Sequence, residues 1–310
     1  MEQLVVRART RLREGRALAG LGGRPARLVL RLDDLDAPGP IPAELLKLED
    51  WYDIVVRVVE WSGPLPVHLV ARSEHPFLAE MVRFAHRLEC PTTLRTTAAG
   101  ISPRRADELV DCGLERIVVR VAGVNEATQR AVVGESVADT RRAIAALLAA
   151  RVSRAAPLDI VLEVPFDART APELRALCEE ARTVGVDGVR VAAPWAGGPF
   201  ESGALDALGW VAKQDRPFRR TSADTLGAVR EMRGDGPGTP RKGGACPVGT
   251  LRVEILPDGT LLSCPFKGDR TRMLSRDPSG AMALAWKALE KHRDAIRTCD
   301  RACAHPELTA

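Results

Sequence analysis

Four cysteines near the carboxyl end of the chain are the residues whose type and spacing most clearly predict chemistry. They are Cys246, Cys264, Cys299 and Cys303, and Gly259 lies between the first two. Thiolates are soft ligands that suit iron–sulfur clusters and zinc, and four of them complete a ligand set. Buried or scattered free thiols are the alternative interpretation. The pattern favours a metal centre, either a [4Fe–4S] cluster or zinc, held by these four residues.

The segment between the first two cysteines has the pattern of a β-hairpin. Residues 251–255 alternate like a strand, residues 257–259 (Pro-Asp-Gly) supply a turn, and residues 260–262 run back. A hairpin of this length brings the two flanking cysteines together at its open end. Cys299 and Cys303 lie about one turn apart if the last helix continues through them, so both can face one centre.

Strands and helices alternate through the middle of the chain. The alternation predicts an α/β fold with a parallel sheet and right-handed crossovers. Six units are too few for a closed eight-fold barrel, so we expect a partial (β/α)6 TIM-like barrel with its functional groups at the carboxyl ends of the strands. The strands are predicted at residues 27–32, 66–71, 92–97, 116–121, 158–164 and 188–193. The helices are predicted at residues 77–88, 103–112, 137–150 and 172–184. Residues 42–60 are compatible with a helix, although residues 54–56 also fit a strand.

Composition shifts divide the chain into three parts. Residues 1–26 form a basic amino-terminal segment, predicted to be helical, and residues 27–233 form the barrel. A Gly- and Pro-rich stretch then leads into residues 234–310, the small cysteine-bearing module. The basic segment fits a solvated first helix, and docking of an acidic peptide or partner is the alternative.

Charge and cysteine usage exclude several classes of protein. The formal net charge of +4 is modest for 310 residues and gives no case for nucleic-acid binding. No apolar run approaches the roughly 20 residues that span a membrane. Seven cysteines, an odd number, in a chain with no signal peptide argue against a secreted disulfide framework. We therefore expect a cytoplasmic protein.

The chain resembles the radical SAM superfamily with a C-terminal SPASM or twitch extension, over about residues 27–305. The most specific match is Cys246, Gly259 and Cys264, similar to the family's auxiliary-cluster hairpin, with further cysteines downstream. Residues 73–76 (Ser-Glu-His-Pro) follow the second strand, where the family carries Gly-Gly-Glu-Pro. The resemblance implies a barrel joined to a cluster-binding module, and [4Fe–4S] and S-adenosylmethionine as the cofactors to consider.

Further matches follow the third and fourth strands. Residues 96–100 (Thr-Thr-Ala-Ala-Gly) lie where the family reads Thr-Asn-Gly. Arg120 and Gly123 follow the fourth strand, and Gly134 lies where the family often keeps a glycine. By resemblance, Glu74 takes the acidic position that binds the methionine amino group of S-adenosylmethionine, and Arg120 pairs its carboxylate. Both glycines that precede this acidic position in the family are replaced here.

The loop after the first strand departs from the family. There the family carries three cysteines, spaced C-x3-C-x2-C, that hold the cluster which cleaves S-adenosylmethionine. Residues 33–39 (Asp-Asp-Leu-Asp-Ala-Pro-Gly) contain none, and the first cysteine of the chain is Cys90. Cys90, Cys112 and Cys178 have the positions of small buried hydrophobic residues. The chain is therefore expected to be a degenerate member of the superfamily.

The aspartates of this loop suggest a different chemistry. Asp33, Asp34 and Asp36 supply hard oxygen ligands, and His68 and His75 supply imidazole nitrogens, which together could bind a metal at the barrel mouth. Capping of a turn or of the next helix is the favoured interpretation of such aspartates, and His68 fits a core position.

Two function classes compete. In the first, the chain is a partner or peptide-binding subunit in a ribosomal-peptide-modifying system, where it binds a peptide substrate or an active radical SAM maturase in a hetero-oligomer. In the second, it is an active metalloenzyme that uses either an unconventional site at the barrel mouth or the C-terminal cluster itself. A zinc-stabilised scaffold follows if the four cysteines hold zinc, because zinc sites with four thiolate ligands are closed and structural. The missing cluster cysteines favour the first class.

Overall fold

The computed structural model describes residues 27–33, 35, 46–192, 210, 252–264 and 269–272. Strands and helices alternate through most of this part of the chain. The strands are β1 (Arg27–Arg31), β2 (Val67–Val70), β3 (Thr92–Thr96), β4 (Arg116–Arg120), β5 (Asp159–Pro165), β6 (Gly188–Ala192), β7 (Arg252–Ile255), β8 (Thr260–Cys264) and β9 (Asp269–Arg272). The helices are α1 (Leu48–Ser62), α2 (Leu78–Arg87), α3 (Pro103–Asp111), α4 (Glu126–Val133), α5 (Val137–Ser153) and α6 (Leu174–Val184), and a 3-10 turn (Ala171–Glu173) precedes α6.

These strands and helices belong to two compact units. The first contains the described residues of Met1–Leu94, Cys112–Leu114 and Arg241–Cys299, and the second contains those of Arg95–Asp111 and Glu115–Pro240. The fold is α/β, with parallel strands alternating with helices as in a partial TIM-like barrel. This confirms the fold class that the sequence predicts.

In the first unit, β1 pairs in parallel with β2 on one side and β7 on the other. Leu28 lies opposite Val67 of β2 and Val253 of β7, and all three side chains are buried. A strand flanked on both sides is apolar almost throughout, and the RLVLR run of β1 fits this rule. An ion pair from Arg31 to the buried carboxylate of Glu254 (Nε–Oε1, 2.5 Å) also joins β1 to β7.

The predicted β-hairpin is confirmed by β7 and β8, which pair antiparallel. In the turn between them, Asp258 accepts a hydrogen bond from the Thr260 amide (2.9 Å). Gly259 has a φ of 78°, in the left-handed region that side chains disfavour, and a Cβ there would lie 3.3 Å from Leu46. This conformation explains why the turn sequence Pro-Asp-Gly ends in glycine. A further strand, β9, pairs with β8 and was not predicted.

In the second unit, β4, β5 and β6 form a parallel ladder. Val119 lies opposite Leu162, and Leu162 lies opposite Val189, with all three buried. The long predicted helix is present as α5, and Ser136 caps it by accepting a hydrogen bond from the Asp139 amide (3.0 Å). These elements lie within a few residues of the predicted bounds.

The structure resolves one segment that the sequence left ambiguous, and it contains one helix that was not predicted. The ambiguous stretch at residues 42–60 contains a helix, α1, whose Trp51, Val55 and Val58 are buried at helical spacing. Helix α4 was not predicted, because it is short and Gln129 is its one buried residue. Asn125, which caps it, and the left-handed Gly134 at its end were the available signals.

No helix in the described ranges is long and apolar enough to cross a membrane.

Candidate functional site at the carboxyl ends of the strands

The loop after β1 holds a buried aspartate rather than the family's cysteines. Asp33 is 4% exposed, and its carboxylate accepts hydrogen bonds from Arg72 Nε (2.5 Å) and Nη2 (3.2 Å). The Leu32 amide donates to the Val70 carbonyl (2.9 Å), so this loop lies against the end of β2. The hydrogen bond that Arg72 donates to Asp33 raises the pKa of the Arg72 guanidinium. The pair fixes two oppositely charged groups where the family would place a cluster.

The metal site suggested for this loop is not seen in the described part of the chain. Both oxygens of Asp33 contact Arg72, and Asp34 and Asp36 lie outside the described residues. His75 is buried, and its Nδ1 accepts a hydrogen bond from the Phe77 amide (3.2 Å). Within the described ranges, no group of three His, Cys, Asp or Glu residues is placed to hold a metal ion.

Glu74 and Arg120, the two residues proposed for S-adenosylmethionine, lie in different units. In the first unit, Glu74 is exposed and accepts a hydrogen bond from the hydroxyl of buried Ser73 (3.2 Å). In the second unit, Arg120 is the last residue of β4 and is half-buried. Each residue is thus at or beyond the end of a strand, and their binding role stays a prediction.

The loop after β3 is held by a carboxylate that sequence interpretation missed. Glu135 accepts hydrogen bonds from the backbone amides of Ala98 and Ala99, both at 3.0 Å. Glu135 lies between α4 and α5, far from this loop in sequence. Two amides aimed at one carboxylate fix the backbone of the segment where the family reads Thr-Asn-Gly.

The loop after β4 is fixed by buried polar side chains. The Ala122 amide donates to Gln129 Oε1 (2.7 Å), and Gln129 in turn donates to the Thr140 hydroxyl (3.1 Å). Gly123 packs so tightly that a Cβ there would lie 2.7 Å from the Glu173 side chain. Glycine is therefore required at 123 for close packing.

A buried carboxylate, Glu163, bonds to two arginines of the second unit. Glu163 on β5 is 1% exposed, with Arg95 of β3 on one oxygen (Nε–Oε1, 2.7 Å) and Arg190 of β6 on the other (Nε–Oε2, 2.7 Å). These three residues were not predicted to be site residues. The available signal was a glutamate in the middle of the apolar strand DIVLEVP.

The proposed metal ligands are mostly outside the described residues. Cys246, Cys299 and Cys303 lie outside them, and Cys264 is the last residue of β8, where the backbone alone is described. Whether the four meet at one centre stays a prediction.

The three remaining cysteines are buried, as the sequence predicts. Cys90, Cys112 and Cys178 are at most 2% exposed. Cys112 Sγ also accepts a hydrogen bond from Arg83 Nη2 (3.2 Å). These residues pack as small hydrophobic side chains.

We expect Cys178 to react slowly with iodoacetamide at pH 8. Burial raises the pKa of its thiol from 9.0 to about 11, against a smaller lowering by Arg182, so little thiolate is present. The contribution of this thiol to the free energy of unfolding is fully present below pH 9 and is lost as the pH rises towards 11. The reason is that the thiol loses its proton at a lower pH in the unfolded chain than in the folded one. Peptide-resolved mass spectrometry with and without urea measures the rate, and equal rates would contradict the prediction.

Replacing Arg72 by Ala should lower the free energy of unfolding by about 2–4 kcal/mol, because it leaves the buried carboxylate of Asp33 without this partner. Arg130→Ala is a matched control, since the Arg130–Glu126 pair is exposed at 62% and 48% and should contribute at most about 1 kcal/mol. Urea unfolding measures both. Equal losses would show that the Asp33–Arg72 pair does not hold the loop.

Comparison with known proteins gives a match in structure alone. No protein-family model and no curated protein sequence matches the chain. The structure of Streptococcus suis SuiB bound to S-adenosylmethionine matches at a TM-score of 0.63 and 13% identity, covering 92% of this chain and 70% of SuiB. SuiB bound to precursor peptide SuiA gives a TM-score of 0.60 at 12% identity, covering 84% and 67%.

A second solved protein has the same fold. Native anSMEcpe with bound AdoMet matches at a TM-score of 0.56 and 11% identity, covering 83% of this chain and 80% of that one. At such low identity these matches establish the fold and leave the activity open. They agree with the α/β, partial TIM-like barrel fold that the sequence predicts.

Proposed function

We propose that this chain is a degenerate radical SAM/SPASM-like protein that acts as a partner or peptide-binding subunit in a ribosomal-peptide-modifying system. The observation that carries the proposal is the loop after β1. It contains no cysteine, and its buried Asp33 pairs with Arg72. By resemblance, three thiolates are needed there to hold the cluster that cleaves S-adenosylmethionine. A protein that keeps the fold without these ligands is better suited to binding than to radical initiation.

The pairing of Asp33 with Arg72 also bears on cofactor binding. Arg72 and Ser73 replace the two glycines that let the family's backbone approach S-adenosylmethionine closely. The Arg72 side chain is directed at Asp33, and Ser73 is fully buried beside it. We infer that Glu74 and Arg120 are remnants of a cofactor site, so any S-adenosylmethionine binding should be weak.

The four C-terminal cysteines should hold an auxiliary [4Fe–4S] cluster, with zinc as the alternative. The antiparallel hairpin supports this part of the proposal. Cys264 ends β8, and Cys246 precedes Arg252, the first residue of β7, by six residues. This spacing supports the hypothesis that Cys246 and Cys264 lie together at the open end of the same hairpin. Thiolates supply the soft ligands that either centre requires, and the centre would serve structure or electron transfer.

Peptide binding is the second part of the proposal. SuiB is a protein of this fold whose structure includes a precursor peptide, SuiA. We carry peptide binding over to this chain as a hypothesis, together with a hetero-oligomer formed with an active radical SAM maturase. The cytoplasmic location expected from the sequence remains a prediction.

Co-expression with and without this chain tests the proposed role. We expect the genes beside this one to encode a short precursor peptide and a radical SAM enzyme with an intact three-cysteine loop. Co-expression of those two genes with and without this chain, followed by mass spectrometry of the peptide, should give modification that depends on this chain. Equal modification in its absence would contradict the partner role.

A further inference from the structure

A cavity of about 290 Å³ lies within the second unit, between its parallel strands and the helices α5 and α6. Its lining includes Val121, directly after β4, and Leu162 of β5 on one side, and residues of the two helices on the other. All the lining residues belong to the second unit. Protein interiors are packed about as densely as organic crystals and contain few voids larger than a water molecule. A cavity of this volume is therefore a candidate binding site.

The lining of the cavity is mainly apolar and buried. Leu162 of β5, Ile144 of α5 and Leu177 of α6 are at most 7% exposed. Ala181 of α6 is 2% exposed, and its short side chain leaves room that a larger residue would fill. An empty apolar cavity lowers stability, because the atoms around it lack van der Waals partners on one side. A ligand that fills the space supplies those partners.

The polar side chains of the lining are bonded to other groups of the protein. The Thr140 hydroxyl donates to the Ser136 carbonyl and accepts from Gln129 Nε2, both at 3.1 Å. Arg141 on α5 donates to both oxygens of Glu180 on α6 (Nε–Oε1, 2.6 Å; Nη2–Oε2, 2.8 Å). A charged ligand group would leave water and find these partners taken, which is unfavourable. The lining therefore favours a neutral, apolar ligand.

The Arg141–Glu180 pair lies where the cavity reaches solvent. The two side chains are 55% and 28% exposed, and Val184, which also lines the cavity, is 43% exposed. The pair joins α5 to α6 at this opening. A polypeptide entering here would need hydrogen-bond partners for its amides and carbonyls. Because the polar side chains of the lining are already bonded, a small molecule fits better than a peptide segment.

We propose that this cavity binds a neutral, apolar small molecule about as large as two fused aromatic rings. An apolar cavity of about 150 Å³ in another protein holds benzene. The cavity in this chain has roughly twice that volume. The inference concerns the space between the strands and the helices, and it does not depend on the proposed partner role.

Two probes that differ by one charged group test the proposal on the unaltered full chain. Naphthalene is the neutral probe, and 2-naphthoate has the same two rings with a carboxylate. Naphthalene should bind in equilibrium dialysis and raise the midpoint of thermal unfolding with its concentration, because a ligand that binds the folded state stabilises it. 2-Naphthoate should bind at least about tenfold more weakly, since its carboxylate has no available partner.

A substitution that fills the cavity tests where naphthalene binds. Ala181→Phe places a ring in the space and should weaken naphthalene binding at least about tenfold, without lowering the midpoint of thermal unfolding. Ala176→Phe is the matched control, because Ala176 is an exposed residue of α6 outside the lining. The control should keep the affinity within about twofold. If Ala181→Phe does not fold, Ala181→Leu replaces it and should weaken binding several-fold.

A second substitution tests why the cavity discriminates against charge. Glu180→Gln keeps the shape of the side chain and removes the negative charge that holds Arg141. The Arg141 guanidinium can then bond to the carboxylate of a ligand at the opening. The difference in affinity between naphthalene and 2-naphthoate should therefore narrow several-fold. An unchanged difference would contradict the role given to this pair.

The remaining outcomes decide the inference without bearing on the partner role. If neither probe binds, the cavity is not a ligand site and the proposal is wrong. If 2-naphthoate binds the unaltered chain as tightly as naphthalene or more tightly, the neutral class of ligand is wrong. If Ala181→Phe keeps full affinity, naphthalene binds elsewhere and the proposal is wrong. The co-expression experiment tests the partner role separately.

Discussion

Replacing Glu163 by Ala should lower the free energy of unfolding by about 3–5 kcal/mol, the range expected when one partner of a buried ion pair is removed. The substitution leaves Arg95 and Arg190, each at most 20% exposed, without the carboxylate that now lies between them. It also removes a link between β5 and the strands β3 and β6. Urea unfolding followed by circular dichroism measures the loss.

Two control variants separate charge from packing. Asp159→Ala removes a carboxylate from the same strand and face, but the Arg116–Asp159 pair is 37% and 33% exposed, so the cost should be at most about 1 kcal/mol. Replacing Arg95, Glu163 and Arg190 together by Met, Leu and Met should recover much of the loss, because it removes the carboxylate together with the two arginines that bond to it. If Glu163→Ala costs no more than Asp159→Ala, the buried ion pairs do not stabilise the sheet.

Replacing any one of Cys246, Cys264, Cys299 or Cys303 by Ala should remove most of the bound iron and sulfide, or of the zinc. A cluster or a structural zinc site needs its full set of thiolates, and the free energy of metal binding is coupled to folding of the residues that hold it. Metal and acid-labile sulfide analysis of anaerobically purified protein, with its ultraviolet–visible spectrum, measures the change and identifies the centre.

A core cysteine supplies the matched control for these four variants. Cys112→Ala removes a buried thiol that contacts Arg83, and it should leave the metal content unchanged while costing some stability. If all four C-terminal variants keep full metal content, the auxiliary centre is not where we place it.

Local sequence pattern predicted most of the elements because each signal lies within a few residues. The apolar run of β1 predicts a strand, and the Pro-Asp-Gly sequence before Thr260 predicts a turn. Neither prediction requires knowledge of the residues that pack against these segments. Strand–helix alternation then restricts the sheet to parallel pairing. The hairpin was predicted in this way, but the parallel pairing of β7 with β1 was not, because 225 residues separate Arg27 from its partner Arg252.

The polar contacts of the candidate site could not be predicted, because they join residues that only the fold brings together. Glu163 pairs with Arg95 and Arg190, which are 68 and 27 residues away in the sequence. The sequence contains many arginines, and nothing local marks these two as partners of a buried carboxylate. Asp33 and Arg72, 39 residues apart, present the same problem. The aspartate suggested a metal ligand, whereas the fold supplies a guanidinium.

The production of 5′-deoxyadenosine from S-adenosylmethionine tests the central claim most directly. Reconstituted protein is incubated with S-adenosylmethionine and dithionite, and the product is quantified by liquid chromatography. We predict no turnover by this chain alone, because the loop after β1 has no thiolate to hold a cluster with an open iron, and Asp33 pairs with Arg72. A radical SAM enzyme with an intact three-cysteine loop is the positive control. Multiple turnovers by this chain without another protein would contradict the account and make it an enzyme.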